Sequence, residues 1–269
     1  MIYINKEKIK KISKENYYIV TDFDRTITSF ESVDSWDASG KLLGPEFLEE
    51  SEKLYKKYAP IELDYTISFE EKNEAMKIWY EECMDNYYKY NLTELKLNKS
   101  IENSKLQFRK GAKEFLEQVS KNNVPVIILS AGIGNVIEKF LTDNKCYYEN
   151  MYIISNFMNF DENSDMTKFD NSKIIHTLNK TLENNLPQEW KEKIEAKKYA
   201  LLFGDLIEDL NMLPEEKRKQ SVTFGFLRES KEEKYQIYTN NFDITLTGED
   251  ANFERVQKIL NKEIFHTSI

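Results

Sequence analysis

Residues 17–26 read Tyr-Tyr-Ile-Val-Thr-Asp-Phe-Asp-Arg-Thr (YYIVTDFDRT). A short, unbroken apolar run suits a strand buried on both faces, as in a parallel sheet. The run stops at two carboxylates one residue apart, Asp22 and Asp24. At the carboxyl end of a strand both can point into one cavity, where a bound cation relieves their repulsion. A solvated turn that merely ends a strand uses the same residue types, so the pair needs support from the rest of the chain.

Four further runs have the same character. VPVIIL (124–129) leads into SAGIG, MYIIS (151–155) into NFMNFD, and YALLF (199–203) into GDLIED, with VTFGFL at 222–227. FDITL (242–246) offers an edge strand. Between them, 111–122 places Phe115, Leu116 and Val119 on one helical face, and 135–144 does the same with Val136, Ile137, Phe140 and Leu141. The alternation predicts an α/β fold, a doubly wound, mainly parallel Rossmann-like sheet with right-handed crossovers. Residues 31–108 break it, with helices expected at 46–58 and 69–90 and no convincing strand. This predicts a helical cap inserted after the first strand, over the carboxyl ends where open parallel sheets bind ligands. The expected division is a core of 1–30 and 109–269 and a cap of 31–108.

Three other strand exits or turns carry candidate chemistry. Asp205 and Asp209 lie four apart after Gly204, and short carboxylates supply the hard oxygens that suit Mg2+. An acidic helix start has the same composition. In SAGIG, the Ser130 hydroxyl and the backbone N–H groups at a helix start make an anion cradle. Lys180, in HTLNK on an expected helical stretch, is one of 38 basic residues and would ordinarily be a surface charge.

The order of these groups, acidic pair, hydroxyl, lysine and acidic pair, resembles that of the haloacid dehalogenase-like (HAD) superfamily of aspartate-nucleophile phosphatases. Within it the chain is similar to the cytosolic pyrimidine 5′-nucleotidases, the type III cytosolic family. KYAPIELD (57–64), EEKNEAMKIWY (70–80), SAGIGNVIE (130–138), SNFMNFDE (155–162), IIHTLNK (174–180) and GDLIEDLNM (204–212) carry the likeness, which runs from Lys57 to the C-terminus. SNFMNFDE has no generic catalytic reason to exist.

The resemblance implies a Mg2+-dependent 5′-nucleotidase that acts through an aspartyl-phosphate. It makes Asp22 the nucleophile and a metal ligand. Asp24 becomes the general acid/base, its backbone carbonyl also binding metal. Asp205 is the third protein ligand and Asp209 its acidic support. Ser130 and Ala131 contact phosphate, as does Lys180, selected over Lys173 by its spacing of 25 residues from Asp205. Glu62 matches the carboxylate that recognises the base. Cys83 stands where the family has a substrate-binding Ser, and residues 31–56 show no clear likeness.

Composition narrows the partners. The net charge of −9 and the absence of a dense basic stripe disfavour nucleic-acid polymers. A single phosphate ester would have to be attracted locally, by a metal ion or one well-placed Lys, and the resemblance implies a small nucleotide as that partner. Cys83 and Cys146 form no C-x-x-C pair and read as free thiols of a reducing compartment. No run approaches 18 apolar residues, and MIYINKEKIKKIS lacks the apolar stretch of a signal peptide. The expectation is a cytoplasmic protein without membrane contact, a monomer or weak dimer. Two other readings stay open: a phosphatase for another small ester (a phosphoamino acid or sugar phosphate), and a non-enzymatic nucleotide-binding protein.

Overall fold

The computed structural model describes residues 2–4, 16–62, 64, 66–229 and 231–261. Most of the N-terminal stretch read for a signal peptide lies outside them. Seven strands form one sheet: β1 (Ile2–Ile4), β2 (Tyr17–Thr21), β3 (Val126–Ile133), β4 (Met151–Asn156), β5 (Tyr199–Gly204), β6 (Val222–Leu227) and β7 (Ile244–Thr247). Their order is β1-β7-β6-β5-β2-β3-β4, and all neighbours are parallel except β1 and β7. The last predicted strand is therefore not an edge, because β1 pairs beyond it. It also starts at Ile244, since the Asp243 carboxylate accepts from the Thr223 N–H and hydroxyl, both at 3.0 Å.

Strand parity explains the apolar runs. Tyr17 and Ile19 of β2 and Leu201 and Phe203 of β5 enter one apolar layer. The helices Ala112–Lys121, Gly134–Asp143 and Phe253–Ile259 cover it. Tyr18, Val20, Ala200 and Leu202 enter the opposite layer, under Leu182, Trp190, Ile194 and Met212. Successive residues of each strand thus face different cores, so no alternation is needed.

From β2 the chain first builds outward to β3 and β4, then returns to β5 on the other side of β2. That reversal is the switch point at which open sheets of this kind bind ligands. Among the described residues, four α-helices, Ser35–Gly40, Pro45–Glu62, Phe69–Lys89 and Glu94–Glu102, and one 3-10 helix, Lys41–Leu43, lie between β2 and β3 before Ala112–Lys121. The first and last of the four did not stand out in the sequence. The second runs through Pro60 to Glu62 rather than ending at Tyr58. A third apolar cluster, including Ala38, Phe47, Met84, Tyr87, Leu92 and Leu97, recruits Met158, Met166 and Ile174 from the segment after β4. Among the described residues no helix is long and apolar enough to cross a membrane.

Candidate active site

Sharp local turns place the carboxylates. The Asp22 N–H is held by Phe203 O at 3.0 Å, so β2 and β5 end together. After it, Arg25 adopts a left-handed φ of 59°, and the Arg25 N–H donates to Thr28 Oγ at 2.7 Å. Buried Arg109 locks this turn from below. Its Nε donates to Thr26 O at 2.8 Å, its Nη1 to Ala251 O at 2.8 Å, and its Nη2 to Arg25 O. Its guanidinium lies between the rings of Phe30 and Phe226, at 4.1 and 4.3 Å. No sequence motif marked Arg109.

The turn after β5 brings the second acidic pair to the first. Asp209 Oδ2 accepts from the N–H groups of Asp205 and Leu206, both at 2.9 Å. The carboxylates of Asp22, Asp205 and Asp209 each offer an oxygen within 4.8 Å of the others. Lys180 Nζ reaches this group from another segment, at 2.8 Å from Asp22 Oδ1 and 2.5 Å from Asp209 Oδ1. Lys180 directly follows a turn at 177–179 and is not on the expected helix. The Ile175 N–H goes to Asn156 Oδ1 at 2.8 Å and the His176 N–H to Asn179 Oδ1 at 2.8 Å, and such side-chain partners compete with a helical ladder.

Asp24 stands apart from that trio. Its Oδ1 accepts from the Ser35 N–H at 2.9 Å and its Oδ2 from the Ser35 hydroxyl at 2.5 Å. Ser35 Oγ in turn accepts from the Ile133 N–H at 3.1 Å. Gly132 passes so close that a Cβ there would stand 2.0 Å from Ser35 Oγ and 2.8 Å from Asp24 Oδ2. Ser130 Oγ accepts from the Gly132 N–H at 3.1 Å, and Ala131 O accepts from Trp36 Nε1 at 3.3 Å. The junction is tighter than expected: β3 runs through SAGI to Ile133, and the helix begins at once with Gly134.

Electrostatics separate the two carboxylates of the first turn. Burial, reinforced by Asp209 and opposed by Lys180, pushes Asp22 up to about 6. Burial and the neighbouring Asp34 push Asp24 up to about 8. Burial, then the charges of Asp209 and Asp22, raise Asp205 well above the carboxylate range. For Lys180 burial acts downward, but Asp209 and Asp22 outweigh it and hold the ammonium above its ordinary value. With all three carboxyls ionised, one ammonium would leave two negative charges uncompensated; that crowding helps raise Asp22 and Asp205, and a divalent cation would relieve it. An all-oxygen donor set suits a hard ion such as Mg2+.

The inserted helices close over this group. Glu62, on the last turn of its helix, accepts from Thr177 Oγ at 2.9 Å, three residues before Lys180. Lys72 Nζ donates to Glu62 O at 2.9 Å. Burial first, and Glu208 after the opposing Thr177 bond, raise the Glu62 pKa. Tyr80 lies edge-on to Trp36, with ring centroids 5.4 Å apart, and 6.1 Å from His176. Trp79 stacks on Tyr58 within the insertion, at 6.0 Å and 16°. Cys83 is half-buried on the same helix as Tyr80 and Tyr87, and burial pushes its thiol up to about 12. Ser35 and Trp36 were missed: both lie in residues 31–56, for which no motif was found.

The fold is the one shared by HAD family hydrolases. Phosphoserine phosphatase, solved as a phospho-aspartyl intermediate analogue, shares the fold at TM-score 0.56 and 18% identity, over 91% of this chain and 99% of that one. The chain belongs to the pyrimidine 5′-nucleotidase (UMPH-1) family, whose model matches residues 16–264. The match thus takes in residues 31–56, ahead of the likeness read from Lys57. It is a 5′-nucleotidase, a phosphoric monoester hydrolase. It is 28% identical over 252 residues to 7-methylguanosine phosphate-specific 5′-nucleotidase from Homo sapiens, covering 90% of this chain and 83% of that one. The Drosophila melanogaster enzyme of the same name is 25% identical over 247 residues, covering 88% and 77%. Cytosolic 5′-nucleotidase IIIB bound to cytidine superimposes with a TM-score of 0.80 at 26% identity, covering 96% of this chain and 88% of that one.

Proposed function

We propose that the chain hydrolyses nucleoside 5′-monophosphates, pyrimidine ones foremost, by passing the phosphoryl group first to Asp22 and then to water. The observation that carries this is the division of labour on one turn. Asp22 lies among the carboxylates under Lys180, at 2.8 Å, while Asp24 is turned away and held by Ser35 with its proton retained near neutral pH. Neighbouring carboxyls whose environments push their pKa values apart are the mark of a nucleophile and an acid.

Asp22, Asp205 and the backbone carbonyl of Asp24 would hold Mg2+, with Asp209 supporting Asp205 through its N–H. When bound, the ion neutralises charge on the phosphoryl oxygens. Lys180 and the strand end Ser130–Ala131 hold those oxygens. The Asp22 carboxylate attacks phosphorus, the bond to the 5′-oxygen breaks, and Asp24 gives that oxygen its proton. Asp24 then takes a proton from the water that attacks the acyl phosphate. Phosphate leaves, and both residues return to their starting state.

The four inserted helices act as a cap that excludes bulk water from the first step. Glu62 and Cys83, with Tyr80, Trp36 and His176, would take the base; Tyr80 against Trp36 and His176, and Glu62 on Thr177, support this. A cytoplasmic setting fits a relative named cytosolic. The test is a panel of CMP, UMP, AMP, GMP and 7-methylguanosine monophosphate beside phosphoserine and a sugar phosphate, each with and without Mg2+. Mg2+-dependent preference for nucleotides supports the reading. Faster turnover of a base-free ester overturns it.

A further inference from the structure

The segment Ser155–Met158 plays no part in the chemistry above, yet it meets the phosphate-contacting strand end position by position. In the β3–β4 ladder Leu129 pairs with Ile154, and the next pair is Ile133 with Asn156. Over that interval β3 advances four residues and β4 only two, so Ser130–Gly132 bulge out of the sheet. A bulge brings the strand end against Asp24 and Ser35, but it leaves backbone groups without ladder partners.

Side chains from β4 take those groups. Ser155 Oγ donates to Gly132 O at 2.8 Å. Asn156, 1% exposed, donates from Nδ2 to Ala131 O at 3.0 Å and to Ile175 O at 2.7 Å, while its Oδ1 accepts from the Ile175 N–H at 2.8 Å. These partners fix the amide orientation, since nitrogen must face carbonyls and oxygen an N–H. The Phe157 ring fills the space where a Cβ on Gly134 would lie, 2.5 Å from its edge. The backbone of Met158 exchanges two hydrogen bonds with the Asn135 side chain, at 2.8 and 3.0 Å. Four consecutive residues thus brace 131, 132, 134 and 135.

Asn156 also reaches the second phosphate-binding segment. Ile175 lies just ahead of the turn at 177–179 that leads to Lys180, and Asn179 Nδ2 returns to Ile174 O at 2.9 Å. We propose that Asn156, with Ser155, is a positioning residue that couples the phosphate cradle to Lys180. One buried amide references both the bulged strand end and the lysine turn, so the groups that grip the phosphoryl oxygens keep a fixed spacing. This deepens the reading above and rests on its assignment of Ser130 and Lys180 to phosphate. Only an amide of this length donates twice and accepts once here; Asp would present acceptors to two carbonyls.

The test uses the full chain, p-nitrophenyl phosphate as substrate and inorganic phosphate as competitive inhibitor, with Tm measured beside them. Asn156→Ala and Asn156→Asp should raise the phosphate inhibition constant and lower kcat/KM tenfold or more, in parallel, with Asp the worse. Ser155→Ala should show a threefold effect and Ser155→Thr restore it, which keeps the test open if the Asn156 variants fail to fold. A merely structural role predicts a lower Tm with wild-type phosphate inhibition. Lys180→Met is the control for the underlying reading: phosphate inhibition intact there overturns the cradle itself. Inhibition lost in Lys180→Met but unchanged in the Asn156 and Ser155 variants overturns the positioning role alone.

Discussion

The Ser35 hydroxyl lies 2.5 Å from Asp24 Oδ2, and the Ser35 backbone N–H is 2.9 Å from Oδ1. Two bonds from one residue fix the carboxyl plane of the proposed acid. The residue that does so opens the first helix inserted between β2 and β3, Ser35–Gly40, so the position of that helix and the orientation of the acid are tied together. Ser35→Ala removes one bond and keeps the other. A hydrogen bond to a charged partner is worth about 1.5–3 kcal/mol, and Asp24 becomes charged as its proton passes to the leaving oxygen, so kcat should fall roughly 10- to 100-fold with KM little changed. Steady-state kinetics with CMP check this, and a KM effect without a kcat effect contradicts it.

Metal dependence follows from the crowding of the Asp22, Asp205 and Asp209 carboxyls. Chelation should abolish activity and Mg2+ restore it. Ca2+, with its larger and more flexible shell, should restore little. Full turnover in excess chelator contradicts the metal role of these residues.

Much of this site could be read before any coordinates. Asp22 follows a buried apolar run directly with Asp24 just beyond it, and Asp205 follows Gly204 with Asp209 in the next short helix, Ile207–Met212. The runs mark these stretches, and the order of groups shared with a known superfamily gives the residues their roles. Ser35, Trp36 and Arg109 could not be found that way. Each acts only through partners distant in sequence, Ser35 on Asp24 and Ile133, and Arg109 on Thr26 and Ala251. The helix expected around Lys180 failed because Asn156 and Asn179 claim the N–H groups of Ile175 and His176. Residues 124–129 read as a strand, but its continuation to Ile133 depends on Ser155 and Asn156 supporting a bulge.

Glu62 decides between nucleotide recognition and simple anchoring of the cap. Its carboxylate holds Thr177, so truncation removes a tie between cap and core as well as a candidate base contact. Glu62→Ala should lower kcat/KM for CMP or UMP about tenfold, since a base left without a partner costs about 1–3 kcal/mol. Turnover of p-nitrophenyl phosphate should stay within roughly twofold on the same grounds. Thr177→Val breaks only the tie. Equal losses on both substrates, matched by Thr177→Val, contradict base recognition.

His176 links stability to pH. Burial, then the charge of Lys77, lowers its pKa from 6.5 to about 4. Between these values the unfolded chain binds the extra proton and the folded chain does not, so stability rises with pH across that window. It is fully present above about pH 6.5 and is lost as pH falls, by about 3 kcal/mol at pH 4. Tm measured from pH 7.5 to pH 4.5 should fall less steeply in His176→Gln than in the wild type. Parallel profiles contradict the assignment.

The central claim is that Asp22 carries the phosphoryl group. The direct measurement is a rapid quench during turnover of the best nucleotide, borohydride reduction of acyl phosphates, and peptide mass spectrometry across residues 16–30 and 199–213. The account predicts homoserine at position 22, formed only with substrate present, and absent from Asp22→Asn, which should also lose turnover by several orders of magnitude. Unmodified Asp22 during full turnover, or a reduced carboxyl at Asp24, Asp205 or Asp209 instead, would contradict it.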